Sequence, residues 1–391
     1  MSSLLKILPK ILLLAPLLAC AENDPGPTPQ PNDQTGAWPA LAELDTQILE
    51  IMDRDHIPGL SACITRDGAA VWCQGYGWAD IHDRRPALPD TPFLVASVSK
   101  AVVGVALMQA VEGRSLALST PVNTLLPFDV RHPDYPNQDI TLRRLATHTA
   151  GIADNWDVMD PLYTDGVDSP LALGDFMEGY LTPGGDWYDA TQNWTWEGPG
   201  GAAEYSNIGS ALAAYVVEVA EGRPFDRLCD ANIFEPLGME NTAWTLTALG
   251  DDAPALPYEW FRGGYVTDGH YGFPDYPSGS VRSSALDMAR FVLAIEQGGA
   301  LDGQRVLTEE SVEELLSVQS RALDPDQGVF LYRWELDGQE VWGHNGGETG
   351  ASAEILITED GVGLVVLMNA EGRNRTLEDV ELALLEHGAG L

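Results

Sequence analysis

The 391 residues carry 59 acidic against 21 basic side chains, a formal net charge of −38. A surface of that sign repels phosphate backbones and anionic lipid, which excludes nucleic acid as a partner and leaves no electrostatic route to a membrane. Hydrophobic residues make up 45% of the chain, enough for a sizeable core, and there is no internal repeat.

In chain order, Lys6 and Lys10 precede the apolar run from Ile11 to Leu18, too short to span a bilayer and laid out as a secretory signal peptide over residues 1–19. The run ends Leu17-Leu18-Ala19-Cys20, which looks like a bacterial lipoprotein processing site with Cys20 as the lipidated first residue. Ala19-Cys20-Ala21 also fits ordinary cleavage between small residues, so a lipid-anchored and a soluble exported protein both stand, facing the periplasm or the cell exterior. Residues 20–37 hold four prolines between Ala21 and Gly36 and no large apolar side chain, and read as a disordered linker. One folded unit is expected over 38–391.

A helix is predicted from Trp38 to Met52, followed by a hairpin whose strands are Leu60 to Thr65 and Ala70 to Gln74. A three-residue loop centred near Gly68 sets Cys63 opposite Cys73, which leaves a disulfide and a pair of buried apolar thiols as alternatives. Cys229 reads as a buried thiol. No cysteine and histidine spacing resembles a zinc site, and no metal or other cofactor is expected.

Beyond its tenth residue the chain contains one lysine, Lys100, three places after Ser97. A lysine amine can be neutral and act as a base where a guanidinium cannot. Ser97 opens a small, apolar stretch reaching Val111 that reads as a buried helix, and positions i and i+3 share a helix face, so the hydroxyl and the amine can meet. A serine in the first turn also faces free backbone N–H groups that favour a developing oxyanion.

The middle of the chain, about 115–286, reads as helices and long loops. His148 suits a loop-organising role. Trp187, Tyr188, Trp194 and Trp196 fit either an acyl pocket or plain aromatic packing. Asp154, Asp157, Asp160, Asp165 and Asp168 lack the glycine and closing glutamate of an EF-hand and read as a solvated acidic surface rather than a calcium site. Tyr205-Ser206-Asn207 precedes a helical pattern beginning at Ile208. Further on, Glu340 to Trp342, Ser352 to Ile357 and Val362 to Met368 read as strands, with His344-Asn345-Gly346-Gly347 among them, and Leu377 to Leu385 as a closing helix.

Ser97-x-x-Lys100, Tyr205-x-Asn207 and His344-x-Gly346, in that order, resemble the β-lactamase-related serine hydrolase family, in its class C β-lactamase, esterase and D-Ala-D-Ala peptidase branch. The phrases from Leu142 to Gly151, Ile233 to Met239 and Ser278 to Ala285 are similar to that family as well. The resemblance implies an α+β fold, an antiparallel sheet flanked by helices of the β-lactamase/transpeptidase type, with an inserted, mainly helical lobe and the site between the two. It implies Ser97 as nucleophile, Lys100 as proton shuttle and Tyr205 as general acid/base, the last on condition that a nearby ammonium depresses its pKa. Asn207 would fix the lysine and the substrate, His344 and Gly346 would line the substrate strand, and the backbone N–H groups of Ser97 and Gly347 would form the oxyanion hole. Relatives often carry lysine where His344 stands, and a neutral histidine is a poor partner for a substrate carboxylate. The expectation is therefore an exported hydrolase of an ester, amide or lactam, working through an acyl-enzyme on a small molecule or peptide. An esterase or peptidase is favoured over a strong β-lactamase. The alternative is a penicillin-binding or sensor protein that acylates without turnover.

Overall fold

The computed structural model describes residues 31–32, 38–114, 116–250, 253–373 and 375–388. The leader 1–19, Cys20 and all of the 20–37 linker except Pro31 and Asn32 lie outside the described residues. Those two are not free chain: Pro31 bridges Tyr76, Asn32 N donates to Gly75 O at 2.8 Å, and the Asn32 amide donates to Gly77 O at 2.7 Å. Carbonyl oxygens of β2 that accept a second bond here, Gly77 O also taking Ala87 N and Gly75 O the Gln74 amide, supply binding energy that composition alone does not reveal.

Strands β1 (Gly59–Arg66) and β2 (Ala69–Asp80) form the predicted hairpin. Its loop is shorter than expected. Asp67 and Gly68 alone make the turn, with φ of 51° and 80°, the left-handed pair that matches strand twist. A register shift then follows, with Thr65 opposite Ala70 but Ile64 opposite Trp72, so Val71 is bulged. A two-residue turn plus one bulged residue gives the same register as a three-residue loop. Cys63 therefore faces Cys73, and the two are joined in a disulfide, with Cα atoms 4.1 Å apart.

The sheet is completed by β3 (Arg85–Pro86), β4 (Tyr332–Leu336), β5 (Gln339–Glu348), β6 (Ala351–Thr358) and β7 (Val362–Met368), in the antiparallel order β4-β5-β6-β7-β1-β2-β3. The pairing of β7 with β1 joins the two ends of the domain. Side chains alternate between the faces. Leu60, Ala62, Ile64, Leu364, Val366 and Met368 pack beneath α1 (Ala42–Asp55) and α5 (Thr376–Gly388), whereas Cys63, Ala353, Ile355, Val365 and Leu367 face α2 (Ser99–Arg114) and α4 (Ala285–Glu296). Both faces are covered, so β7 is apolar at nearly every position. Each aliphatic side chain buried this way stabilises the fold by about 1.5–3 kcal/mol.

Between α2 and α4 lies the inserted lobe, whose longest helix, α3 (Asn207–Glu221), packs against α2. The helix-and-loop reading missed two small ribbons there, Thr164–Asp165 with Tyr271–Gly272 and Glu259–Phe261 with Gly264–Val266. Strands of two or three residues have too few positions to display a period. The first helix begins at Ala42 rather than Trp38, behind Pro39, and Cys229 is a buried free thiol.

Candidate active site

Ser97 lies in a 3-10 turn, Ala96–Val98, immediately before α2 rather than within its first turn. The cause is Ala96, whose φ of 47° is a costly left-handed conformation for a residue with a Cβ. Phe93 and Leu94 pair with Ser283 and Arg282, Val95 N donates to Val281 O at 2.9 Å, and Val281 N donates to Ser99 Oγ at 3.1 Å. These bonds hold the turn, and they explain the sequence phrase from Ser278 to Ala285.

Lys100 is fully buried, and all three protons of its ammonium have acceptors: Ser97 Oγ at 3.1 Å, Asn207 Oδ1 at 2.7 Å and Ser278 O at 2.6 Å. Burial brings its pKa down to about 7, with Asp154, Asp275 and Glu348 pulling the other way. Near neutral pH the amine is thus poised between donor and base, a hydrogen bond away from a half-buried serine. Asp275, buried behind it and hydrogen-bonded by Ser278 Oγ at 2.8 Å, has its carboxyl pushed up to about 7, chiefly by burial.

Tyr205 and Asn207 enter from the N-terminus of α3. Ser206 caps that helix, accepting from Gly209 N at 2.9 Å and donating to Asp154 Oδ1 at 3.0 Å. Asp154 also accepts from Asn207 N at 2.9 Å and Ile208 N at 3.1 Å. The acidic-surface reading therefore fails at Asp154, a half-buried second cap, and at Asp168, also half-buried, which accepts Leu246 N at 2.7 Å and Thr247 N at 3.0 Å. His148 organises the same loop. Its φ is 54°, its Nδ1 accepts from Ser206 N at 3.2 Å, and its ring lies 4.5 Å from that of Tyr205.

Tyr205 is 40% exposed, yet its hydroxyl shares a hydrogen bond with Ser97, and Lys100 Nζ stands 4.8 Å from its ring centroid. The expected depression of its pKa is reversed. Loss of water around the hydroxyl pushes it up, the Ser97 hydrogen bond offsets only part of this, and the carboxylates of Asp154 and Glu348 push further. In the free site the group tuned to neutral pH is Lys100, and the phenol keeps its proton.

The third wall is β5. His344 is buried, and its pKa falls to about 3 because of burial, with Lys100 adding to the effect. The ring is neutral and lies against Asn345 O through Nδ1. Gly346 is the contact point. A Cβ there would stand 2.4 Å from Val95 O and 2.9 Å from Ser97 N, so only glycine lets the strand close onto the turn. A Cβ on Gly347 would meet open space.

The structure thus gathers Ser97, Lys100, Tyr205, Asn207, His344 and Gly346 in one cleft. Asp275, Ser278 and Glu348 belong to it as well. They went unnoticed because none has a sequence spacing to the others, although Ser278 opens a phrase already noted. Trp187 packs on Phe176 at 5.4 Å and Trp194 is buried, so these two are packing residues, whereas Trp196 is 86% exposed.

The sequence profile of the Beta-lactamase family matches residues 44–389. A putative penicillin-binding protein, PbpX, of Bacillus subtilis (strain 168) is 28% identical over 262 residues, which are 66% of this chain and 58% of the relative, so the chain spans little more than half of that protein's length. The octameric penicillin-binding protein homologue from Pyrococcus abyssi shares the fold with a TM-score of 0.70 at 23% identity, covering 88% of this chain and 77% of the other. The D-amino acid amidase from Ochrobactrum anthropi SV3, solved with D-phenylalanine, does so with a TM-score of 0.68 at 19% identity, covering 88% and 99%.

Proposed function

We propose, from the premise that this chain belongs to the Beta-lactamase family, that it is a serine hydrolase that cleaves a small ester or amide through an acyl-enzyme on Ser97. The observation that carries this reading is the buried Lys100 amine, 3.1 Å from Ser97 Oγ and with its pKa brought to about 7.

The neutral fraction of Lys100 takes the Ser97 proton as Oγ bonds to the substrate carbonyl carbon, and the carbonyl oxygen becomes an oxyanion facing the Ser97 and Gly347 N–H groups. As the bond from that carbon to the leaving oxygen or nitrogen breaks, Tyr205 gives its proton to the leaving group and recovers one from Lys100. Asn207 holds the amine in place. Water then attacks the acyl carbon, its proton passes to the same pair of side chains, and Ser97 is released. The raised pKa of Tyr205 suits a donor better than a standing tyrosinate. The neutral, buried His344 supports an esterase or peptidase over a strong β-lactamase, because it offers no charge to a substrate carboxylate.

Export also belongs to this proposal. The Cys63–Cys73 disulfide supports an oxidising compartment, and the leader and Cys20 support a lipid anchor facing the periplasm or the cell exterior. No helix among the described residues is long and apolar enough to cross a membrane.

The test is turnover of p-nitrophenyl acetate, nitrocefin and a D-alanyl-D-alanine peptide by the mature protein, with mass spectrometry and Ser97→Ala as control. Steady turnover that falls about 10³-fold or more in the variant supports the hydrolase. A single stable adduct on Ser97 without turnover points instead to a penicillin-binding or sensor protein, and activity that survives in Ser97→Ala overturns the nucleophile.

A further inference from the structure

The segment from Asp275 to Ser283 meets the start of α2 at two points. At one end Val281 O accepts from Val95 N at 2.9 Å, and Val281 N donates to Ser99 Oγ at 3.1 Å. At the other, Ser278 O receives the Lys100 ammonium at 2.6 Å, the shortest of that amine's three bonds. This carbonyl ends a 3-10 turn, Tyr276–Ser278, with Asp275 as the residue that precedes it.

Asp275 ties the turn together twice. Ser278 N donates to Asp275 O at 2.8 Å, and Ser278 Oγ donates to Asp275 Oδ2 at 2.8 Å. Pro277 fixes φ in the middle of the turn, and Ser280 N and Gly279 N both donate to Tyr276 O, at 2.9 and 3.2 Å. The residue whose carbonyl binds Lys100 is thus held to one acid by backbone and side chain together, and the carbonyl stays where the ammonium needs it.

The same acid carries charge into the cleft. Asp275 is 3% exposed, where an ionised carboxyl is costly without a cation, and the cation in its field is Lys100. Asp154, before α3, and Glu348, on β5, add negative charge around that amine, while His148 and His344 face it as neutral rings. The phenols of Tyr163 and Tyr180 lie in the field of Asp275 and keep their protons. An ionised Asp275 favours the ammonium over the neutral amine, and a protonated one does not.

We propose that Asp275 is a positioning residue for Lys100, holding the Ser278 carbonyl in place through the Ser278 hydroxyl and, by its charge, setting the pH above which the amine can take the serine proton. This inference rests on the reading of Ser97 as nucleophile and Lys100 as base, and adds to it what tunes the base. The carboxyl acts through Ser278 and through its field.

The experiment is the pH profile of kcat/KM for p-nitrophenyl acetate from about pH 5 to about pH 9 in wild type, Asp275→Asn and Ser278→Ala, with Ser97→Ala as control. Mass spectrometry follows adducts on Ser97. Asp275→Asn keeps an oxygen for the Ser278 hydroxyl and removes the charge. Loss of that charge favours the neutral amine, so the acid limb should move to lower pH by roughly half a unit to one unit. Ser278→Ala keeps the carbonyl but cuts its side-chain tie to Asp275, and the plateau should fall about tenfold. An acid limb that stays in place in Asp275→Asn, even with activity lowered equally at every pH, marks a merely structural residue and overturns the assignment. A Ser278→Ala plateau equal to wild type overturns it as well. Either result leaves ester turnover by wild type, and with it the hydrolase reading, intact. A wild type that is silent on the ester and forms no adduct on Ser97 overturns both.

Discussion

Gly346 and Ser97 are in backbone contact across the cleft, with the position of a Cβ on Gly346 only 2.9 Å from Ser97 N. Gly346→Ala must push β5 away from the turn by a fraction of an ångström or more. The expected result is a drop in kcat/KM of about 10²-fold, since small displacements at a reacting centre are costly, against a stability loss of only about 1–3 kcal/mol. Ester kinetics beside urea denaturation check the two readouts, and equal losses in both would mean that the contact is merely structural.

In the proposed mechanism Lys100 sets the acid limb of activity. With a pKa of about 7 the amine is mostly protonated below that pH, so kcat/KM for a neutral ester should rise through about pH 7 and level off above it. Lys100→Arg should remove the limb together with the activity. Stability follows the same group: the unfolded lysine holds its proton to about 10.5 and the folded one only to about 7. The unfolded chain therefore binds more protons in that window, and this group's contribution to stability grows as pH rises through it.

Asp154 accepts three hydrogen bonds at the start of α3. Removing it leaves those donors unpaired in a half-buried place, so Asp154→Ala should cost about 1–3 kcal/mol in urea denaturation and loosen Tyr205 and Asn207. Activity should fall in Asp154→Ala and recover partly in Asp154→Asn, which can still accept.

The Cys63–Cys73 bridge closes a loop with a sequence separation of 10. In the chain-entropy account, replacing both cysteines by alanine costs about 2–3 kcal/mol. The bridge lies on the sheet, away from the cleft, so kcat/KM should change little. Thermal unfolding with and without reductant checks this, and the double variant should be blind to reductant.

Glu354 on β6 and Glu381 on α5 are buried against each other, and the carboxyls of both are raised, first by burial. Groups whose folded pKa lies above the unfolded value of 4.5 favour the fold at low pH and lose that contribution as pH rises through the folded values. Glu381→Gln should therefore raise the melting temperature at pH 8 and do so much less at pH 4.5. Equal shifts at both would show that the pair does not share a proton.

The sequence by itself determined the elements with long, regular patterns: the apolar strand β7, the buried helix α2 and the hairpin register that brings Cys63 opposite Cys73. It also singled out Ser97, Lys100 and Tyr205, the trio to which the proposed mechanism assigns the chemistry and which the fold brings together, because a lone lysine at i+3 from a serine is a local signal and the two later motifs follow in order. Only the tertiary structure decided how the trio is tuned. Burial brings Lys100 to about 7 against the pull of Asp154, Asp275 and Glu348, and burial with the carboxylates of Asp154 and Glu348 pushes Tyr205 up; these groups lie far apart in the chain, and no spacing records that they meet. The same holds for Gly346, whose necessity comes from a backbone 249 residues away in the chain, and for Asp154, which reads as a surface acid until the N-terminus of α3 is placed upon it. Periodicity records which face of an element is buried. It carries no record of which distant groups share that burial, and the energies of charge and close contact depend on those.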